Sequence, residues 1–204
     1  MTPAAADPHA SKPLRADARR NRTRVLEAAE TVFATKGTGA PTEEVARAAG
    51  VGIGTVFRHF PTKEALLEAV LYARLRRFVD EAEAVVAAES ADPGGAFFTF
   101  LTSWIEMSSA KNAYFEALTA AGVTVPKAGS DIGARLIESL GVLLSRAQGA
   151  GAVRDDLVVG ELITVIIGTA RAAEYAGPDA RLRDRAVAIF FDGLRPRASA
   201  GESR

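Results

Sequence analysis

The sequence predicts an all-α protein, with an N-terminal three-helix helix–turn–helix domain, a larger C-terminal helical bundle and about nine helices in total. Three observations carry this. Apolar residues recur at helical spacing along most of the 204-residue chain and never alternate with period two for long. Gly and Pro gather between those periodic runs and punctuate them. The segment Glu44–Phe60 reads as two short helices joined by a tight turn at Gly50. With 48% apolar residues, the chain can bury a substantial core.

Residues 1–15 carry Pro3, Pro8 and Pro13 among alanines and polar residues, the composition of a disordered leader. A helix is expected from about Asp17 to Lys36, with Val25, Leu26, Ala29, Val32 and Phe33 on one face and Gly37 and Gly39 ending it. The next begins near Pro41 or Thr42; either Pro41 occupies its first turn or Thr42 is its N-cap. In the helix–turn–helix, about 42–60, Val45, Ala49, Val51, Val56 and Phe60 can close a small core, and Ala46 is small where the helices cross. Gly50 suits a positive φ in the turn. Thr55, Arg58 and His59 are then left outward on the second helix, which fits the major groove of DNA.

Pro61 and Thr62 end that helix, and Thr62 caps a long fourth one whose period runs through Leu66, Val70, Phe78 and Val86 to about Ala88. Its start carries small-domain contacts and its end larger-domain contacts, so it is the expected link. After Asp92-Pro93-Gly94-Gly95, helices are expected at about 95–110, 112–121, 130–149, 156–175 and 179–194, with joints at 122–129, 149–151 and 177–178. The expected organisation is a leader (1–15), a helix–turn–helix domain (16–71), a larger helical domain (72–195) and a tail (196–204).

The chain has no cysteine, which excludes disulfides, thiolate metal sites and cysteine nucleophiles. Its two histidines are His9, in the leader, and His59, so neither a metal nor a cofactor is expected. Net charge is zero, but Lys12, Arg15, Arg19, Arg20, Arg22 and Arg24 crowd the start against only Asp7 and Asp17. Arg19, Arg20 and Arg22 are expected at backbone phosphates or in the minor groove; a solvated basic tail is the alternative. Residues 1–13 lack the apolar segment of a secretory signal. The run Leu157–Ala173 is interrupted by Gly160, Glu161, Thr164, Gly168 and Arg171, and is shorter than the roughly 20 residues of a membrane span. A cytoplasmic protein without membrane contact is expected. Gly50-Val51-Gly52-Ile53-Gly54 is no phosphate loop, because no strand precedes it, no Lys-Ser/Thr follows it and the third glycine is missing. No enzyme is expected either: His59 has no Ser, Cys or second His nearby, and Glu43/Glu44 and Asp155/Asp156 are neighbours in sequence, poorly placed to converge.

The runs Val25-Leu26-Glu27-Ala28-Ala29, Phe33-Ala34-Thr35-Lys36-Gly37, Glu44-Val45-Ala46, Ala49-Gly50-Val51, Gly54 to Phe60 and Lys63 to Leu67 together resemble the DNA-binding region of TetR-family repressors, over about residues 19–71. The resemblance implies a homodimer on a palindromic double-stranded operator, a small-molecule pocket in the larger domain, and dimerisation through the last two helices. Carried over by position, Thr55, Phe57, Arg58 and His59 lie on the recognition helix and Lys63 opens the next helix, whose amides can hold a phosphate. Thr42, Gly52, Ile53 and Gly54 complete the expected contact set, Gly54 by letting the backbone approach DNA. Phe57 stands where the family usually has Tyr, Gly52 and Ile53 where Ser/Thr and a polar or basic residue are common, and Pro41 where a capping Thr is frequent. A phenol–phosphate bond is thereby lost, and Ile53 is left apolar contact with a thymine methyl.

Phe78, Phe97, Phe100, Leu101, Trp104, Met107, Tyr114, Phe115 and Leu118 form an aromatic-rich set that reads either as ordinary core or as the lining of a cavity for a small apolar or amphipathic ligand. Arg171 and Tyr175, with Glu106, Asn112 and Glu174, are polar groups able to orient such a ligand. The helix around Leu162, Val165 and Ile166 is apolar on nearly all sides and needs cover on all sides. With Gly168, and with Ile189, Phe190 and Leu194 in the last helix, it is the expected dimer interface; a single buried core helix is the alternative. The expected mechanism is a repressor whose ligand tilts the long helix near Phe78, changes the spacing of two recognition helices and releases DNA. Alternatives are a DNA-binding regulator controlled by a protein partner, and an all-α binding protein or enzyme with an idle helix–turn–helix.

Overall fold

The computed structural model describes residues 11–123, 131–177 and 179–196, and among them it contains eight helices and no strand. Helix α1 spans Ser11–Lys36, α2 Thr42–Ala49, α3 Ile53–His59 and α4 Lys63–Ala87. They are followed by α5 (Pro93–Ala120), α6 (Asp131–Gly149), α7 (Val159–Tyr175) and α8 (Ala180–Leu194). Helix α1 starts before the expected Asp17, so residues 11–15 of the expected leader are helical; Pro13 is compatible because it falls in the first turn, where its missing N–H has no helical partner to lose. Residues 1–10 of that leader, the Pro126 joint, Pro178 and the tail from 197 lie outside the described residues.

The chain forms two compact units. The first contains Met1–Ala73 and Ala113–Val125. Its core is the α1 face Val25, Ala29, Val32 and Phe33, closed by Val45, Ala46, Val56, Phe60, Leu66 and Val70. The end of α5 belongs here: the Tyr114 ring meets Phe33 edge-on with centroids 6.4 Å apart, and Leu118 is fully buried. Three of the residues expected around a ligand, Tyr114, Phe115 and Leu118, are therefore grouped with the first unit and not with the rest of their set.

The second unit contains Arg74–Asn112 and Pro126–Arg204. Phe78 and Phe100 stack nearly parallel at 5.5 Å, and Trp104 stands edge-on to both. Phe97, Leu101, Leu140, Leu162, Ile166, Phe190 and Leu194 complete that core. Arg135 of α6 donates to both carboxylate oxygens of Glu83 on α4, each at 2.8 Å, and these bonds hold the Glu83 carboxyl below its usual range.

Helix α5 is one helix where two were expected. No Gly or Pro occurs around residue 111, and the amide of Asn112, disfavoured in a helix when unused, donates to the Glu174 carboxylate of α7. Asp92 caps α5, accepting from the Gly95 amide at 2.9 Å, with Pro93 in the first helical position. No described helix is long and apolar enough to cross a membrane.

Candidate nucleic-acid interface

The α2–α3 turn follows from Gly50, which adopts φ 64°, ψ 38° as expected of the glycine there. Its amide donates to Arg47 O and that of Val51 to Ala46 O, the paired bonds of a Schellman turn that satisfy the last carbonyls of α2. At the other end of α2, Pro41 is the N-cap residue and Thr42 the first helical one. Glu43 and Glu44 in the first turn suit the helix dipole, and Glu44 pairs with Lys36 of α1 at 2.5 Å.

Val56 is fully buried and fastens α3 to the core by one face. The opposite face is open: Gly52, Gly54 and Arg58 are exposed, as are Ile53 at 36% and Phe57 at 43%, while Thr55 and His59 are half-buried. An exposed Phe beside an Arg and a His on a two-turn helix is a surface awaiting a partner with apolar and anionic parts, which the thymine methyls and phosphates of a duplex groove supply.

The other residues expected at DNA fall into two groups. Arg19 is exposed, and Arg20 is exposed in an ion pair with Asp17 one turn before it. Arg22 lies over the Phe60 ring at 5.0 Å, and Lys63, at the start of α4, donates to Gly39 O at 2.9 Å. Thr42 is a correction: its side chain is 7% exposed and faces the core, because it is the first residue inside α2 and not the cap outside it. Arg24, given no individual role by the sequence reading, donates to Ala49 O at 2.6 Å. Nothing in the sequence marks a bond to a backbone carbonyl 25 residues away.

In the second unit Phe78, Phe97, Phe100, Leu101 and Trp104 pack on one another as core. A groove of about 580 Å³ lies elsewhere, with Ile105, Val187 and Phe191 as apolar lining and Thr102, Glu106, Arg183 and Asp184 as polar lining. Of these only Glu106 figured among the expected ligand-orienting groups; the Val187–Phe191 pair, one turn apart on α8, was the available signal. Tyr175 is corrected as a pocket residue, since it is 92% exposed. Met107 is half-buried, and Arg171 is exposed, paired with Glu174 at 2.7 Å. Leu162, Ile166, Phe190 and Leu194 are corrected as interface residues: they are buried in their own chain's core. Val165, Gly168 and Ile189 are exposed, as is Ile167.

The family model described as bacterial regulatory proteins, tetR family, matches residues 25–70. That described as transcriptional regulator SbtR-like, C-terminal domain, matches residues 92–196. No curated protein matches the chain. Among solved structures, a TetR transcription regulatory protein from Mycobacterium vanbaalenii is 42% identical, with 90% of this chain and 99% of that one covered and a TM-score of 0.67. A TetR transcriptional regulator from Streptomyces coelicolor is 32% identical over 87% of this chain and 99% of that one, also with a TM-score of 0.67. A γ-butyrolactone receptor, 20% identical over 88% of this chain and 91% of that one at a TM-score of 0.54, shares the fold. A helix–turn–helix with an open recognition face, a C-terminal match over half the chain and a 42% identical relative together show that this protein belongs to the TetR family of DNA-binding transcriptional regulators.

Proposed function

We propose that this regulator is a homodimeric repressor, working in the cytoplasm, that releases a palindromic operator on binding a small apolar or amphipathic molecule. The observation that carries the DNA half is α3, fastened through Val56 while Phe57 and Arg58 stand open. Two such helices on a two-fold dimer must lie about 34–36 Å apart to enter successive major grooves. The ligand half is supported by the groove beside Ile105, Val187 and Phe191, whose lining also carries Glu106, Arg183 and Asp184 and so suits an amphipathic molecule. A ligand that favours a different recognition-helix separation lowers operator affinity, and by linkage DNA lowers ligand affinity by the same factor.

Selection of bound fragments from random duplex DNA should return a palindrome. Arg58→Ala combined with His59→Ala should then weaken operator binding by about 100-fold or more while leaving the dimer intact. Unchanged affinity would remove the site assignment. Trp104 is the only tryptophan and lies on the same stretch of α5 as Thr102, Ile105 and Glu106, so its fluorescence should respond to amphipathic ligands that release DNA. Ligand-independent DNA binding across a broad chemical library would instead favour control by a protein partner.

A further inference from the structure

Resting on the reading that α3 is presented to an operator, we propose that Arg22 and Arg24 are positioning residues that clamp to α1 the two segments on either side of α3, the end of α2 and the α3 C-cap, rather than phosphate contacts. Both precede Val25, a fully buried residue of the α1 stripe, and at about 100° per residue they lie on opposite sides of it around the helix. Arg24 Nη2 donates to Ala49 O at 2.6 Å. Ala49 is the last residue of α2, and its carbonyl belongs to the negative, incompletely bonded end of that helix. Gly50, next in the chain, has φ 64°, and a Cβ there would lie 3.0 Å from Arg24 Nη2. The residue that supplies the left-handed turn thus also leaves room for the guanidinium.

At the far end Arg22 covers the ring of Phe60, the C-cap residue of α3, whose amide closes the helix onto Val56 O at 2.8 Å. One helix therefore holds the residue just before the turn and the residue just after α3. A seven-residue helix is too short to hold itself, so beyond the Val56 anchor its direction depends on what grips the segments on either side of it. Arg22, expected at phosphate, is engaged with the Phe60 ring, and Arg24 of the same basic cluster with Ala49 O.

The test is equilibrium binding of the full-length protein to its selected operator and to a scrambled duplex, across a salt series, for the native protein, Arg22→Ala, Arg24→Ala and Arg24→Lys. Each alanine variant should lose about tenfold in operator affinity. Affinity for the scrambled duplex should stay within about twofold, and the slope of log affinity against log salt should be unchanged, because no phosphate contact is removed. Arg24→Lys should recover most of the loss, since an ammonium can also donate to Ala49 O. A slope shallower by about 0.9 per chain, with both duplexes weakened alike, would mark a phosphate contact and overturn the proposal. So would an unchanged operator affinity, or a loss shared equally by both duplexes and traced to unfolding. Amide exchange read without DNA separates the clamp from the operator reading: the Val56 and Phe60 amides should exchange faster in both alanine variants. Unchanged exchange sinks the clamp, whereas a native protein that prefers no duplex sinks the operator reading alone.

Discussion

Gly50 and Gly54 lie four residues apart and answer opposite demands. Gly50 holds a left-handed φ and sits against Arg24, so Gly50→Ala should destabilise the protein by about 1–2 kcal/mol in denaturant unfolding. Gly54 lies inside α3, and a Cβ there would meet nothing within 4 Å. Gly54→Ala should therefore raise stability by up to about 1 kcal/mol and yet weaken operator binding, by placing a methyl group between the helix and the groove. A stabler variant with unchanged operator affinity would mean that the α3 backbone does not approach DNA there. Lys111 supplies a pH dependence. Burial, and secondarily the Arg171 charge, push its ammonium below the ordinary 10.5, against the opposing pull of Glu174. In the window between the lowered and the ordinary value the unfolded chain binds more protons than the folded one, so the contribution of Lys111 to stability rises with pH. Lys111→Met should raise stability at pH 7 and flatten that alkaline rise in thermal unfolding.

At the scale of elements, periodicity made the helices legible wherever one face is buried and a Gly or Pro stands at the end. The turn at Gly50 and the cap at Thr62, which accepts from the Ala65 amide at 3.1 Å, were readable because backbone geometry demands particular residues there. Asp92-Pro93-Gly94-Gly95 read only as a break, but it is the cap and first turn of α5. A Cβ on Gly95 would collide with the Asp92 carboxylate that caps the helix, and one on Gly94 would lie 2.5 Å from Ala152 Cβ. Gly here records contacts with a side chain three residues back and with a residue far along the chain, and composition reports neither. Asp92→Ala should cost about 1 kcal/mol and Gly95→Ala a similar amount, because both remove the same capping bond; in the double variant the losses should fall well short of additive. Full additivity in equilibrium unfolding would separate the two effects. Of the α3 residues expected outward, Arg58 is exposed while Thr55 and His59 are half-buried, and the burial of Thr42 and the engagement of Arg22 likewise depend on which neighbouring element reaches them.

At the scale of the whole molecule, the zero net charge conceals a basic N-terminal stretch, and the apolar α7 conceals one buried and one exposed face. A helix apolar all round cannot say which side its own bundle takes. The fold decides it: Leu162, Ile166, Ala170 and Ala173 are buried, leaving Val165 and Ile167 exposed with Gly160, Thr164 and Gly168 between them around the helix. Small residues one turn apart, rimmed by apolar ones, suit a second helix crossing closely, and exposed Leu182 and Ile189 on α8 extend the apolar surface. Gly168 distinguishes cover by a second copy from an idle surface. A Cβ there meets nothing within 4 Å in the single chain, so a side chain at 168 starts into open space, and Gly168→Leu should keep the protomer fold while improving helix propensity. In a close-crossed dimer the same side chain stands where the partner backbone must pass. Sedimentation equilibrium should show Gly168→Leu shifted to monomer with unchanged helix content, and operator binding should fall with it, because one recognition helix reads half a palindrome. A variant that stays dimeric would place the interface away from this face of α7.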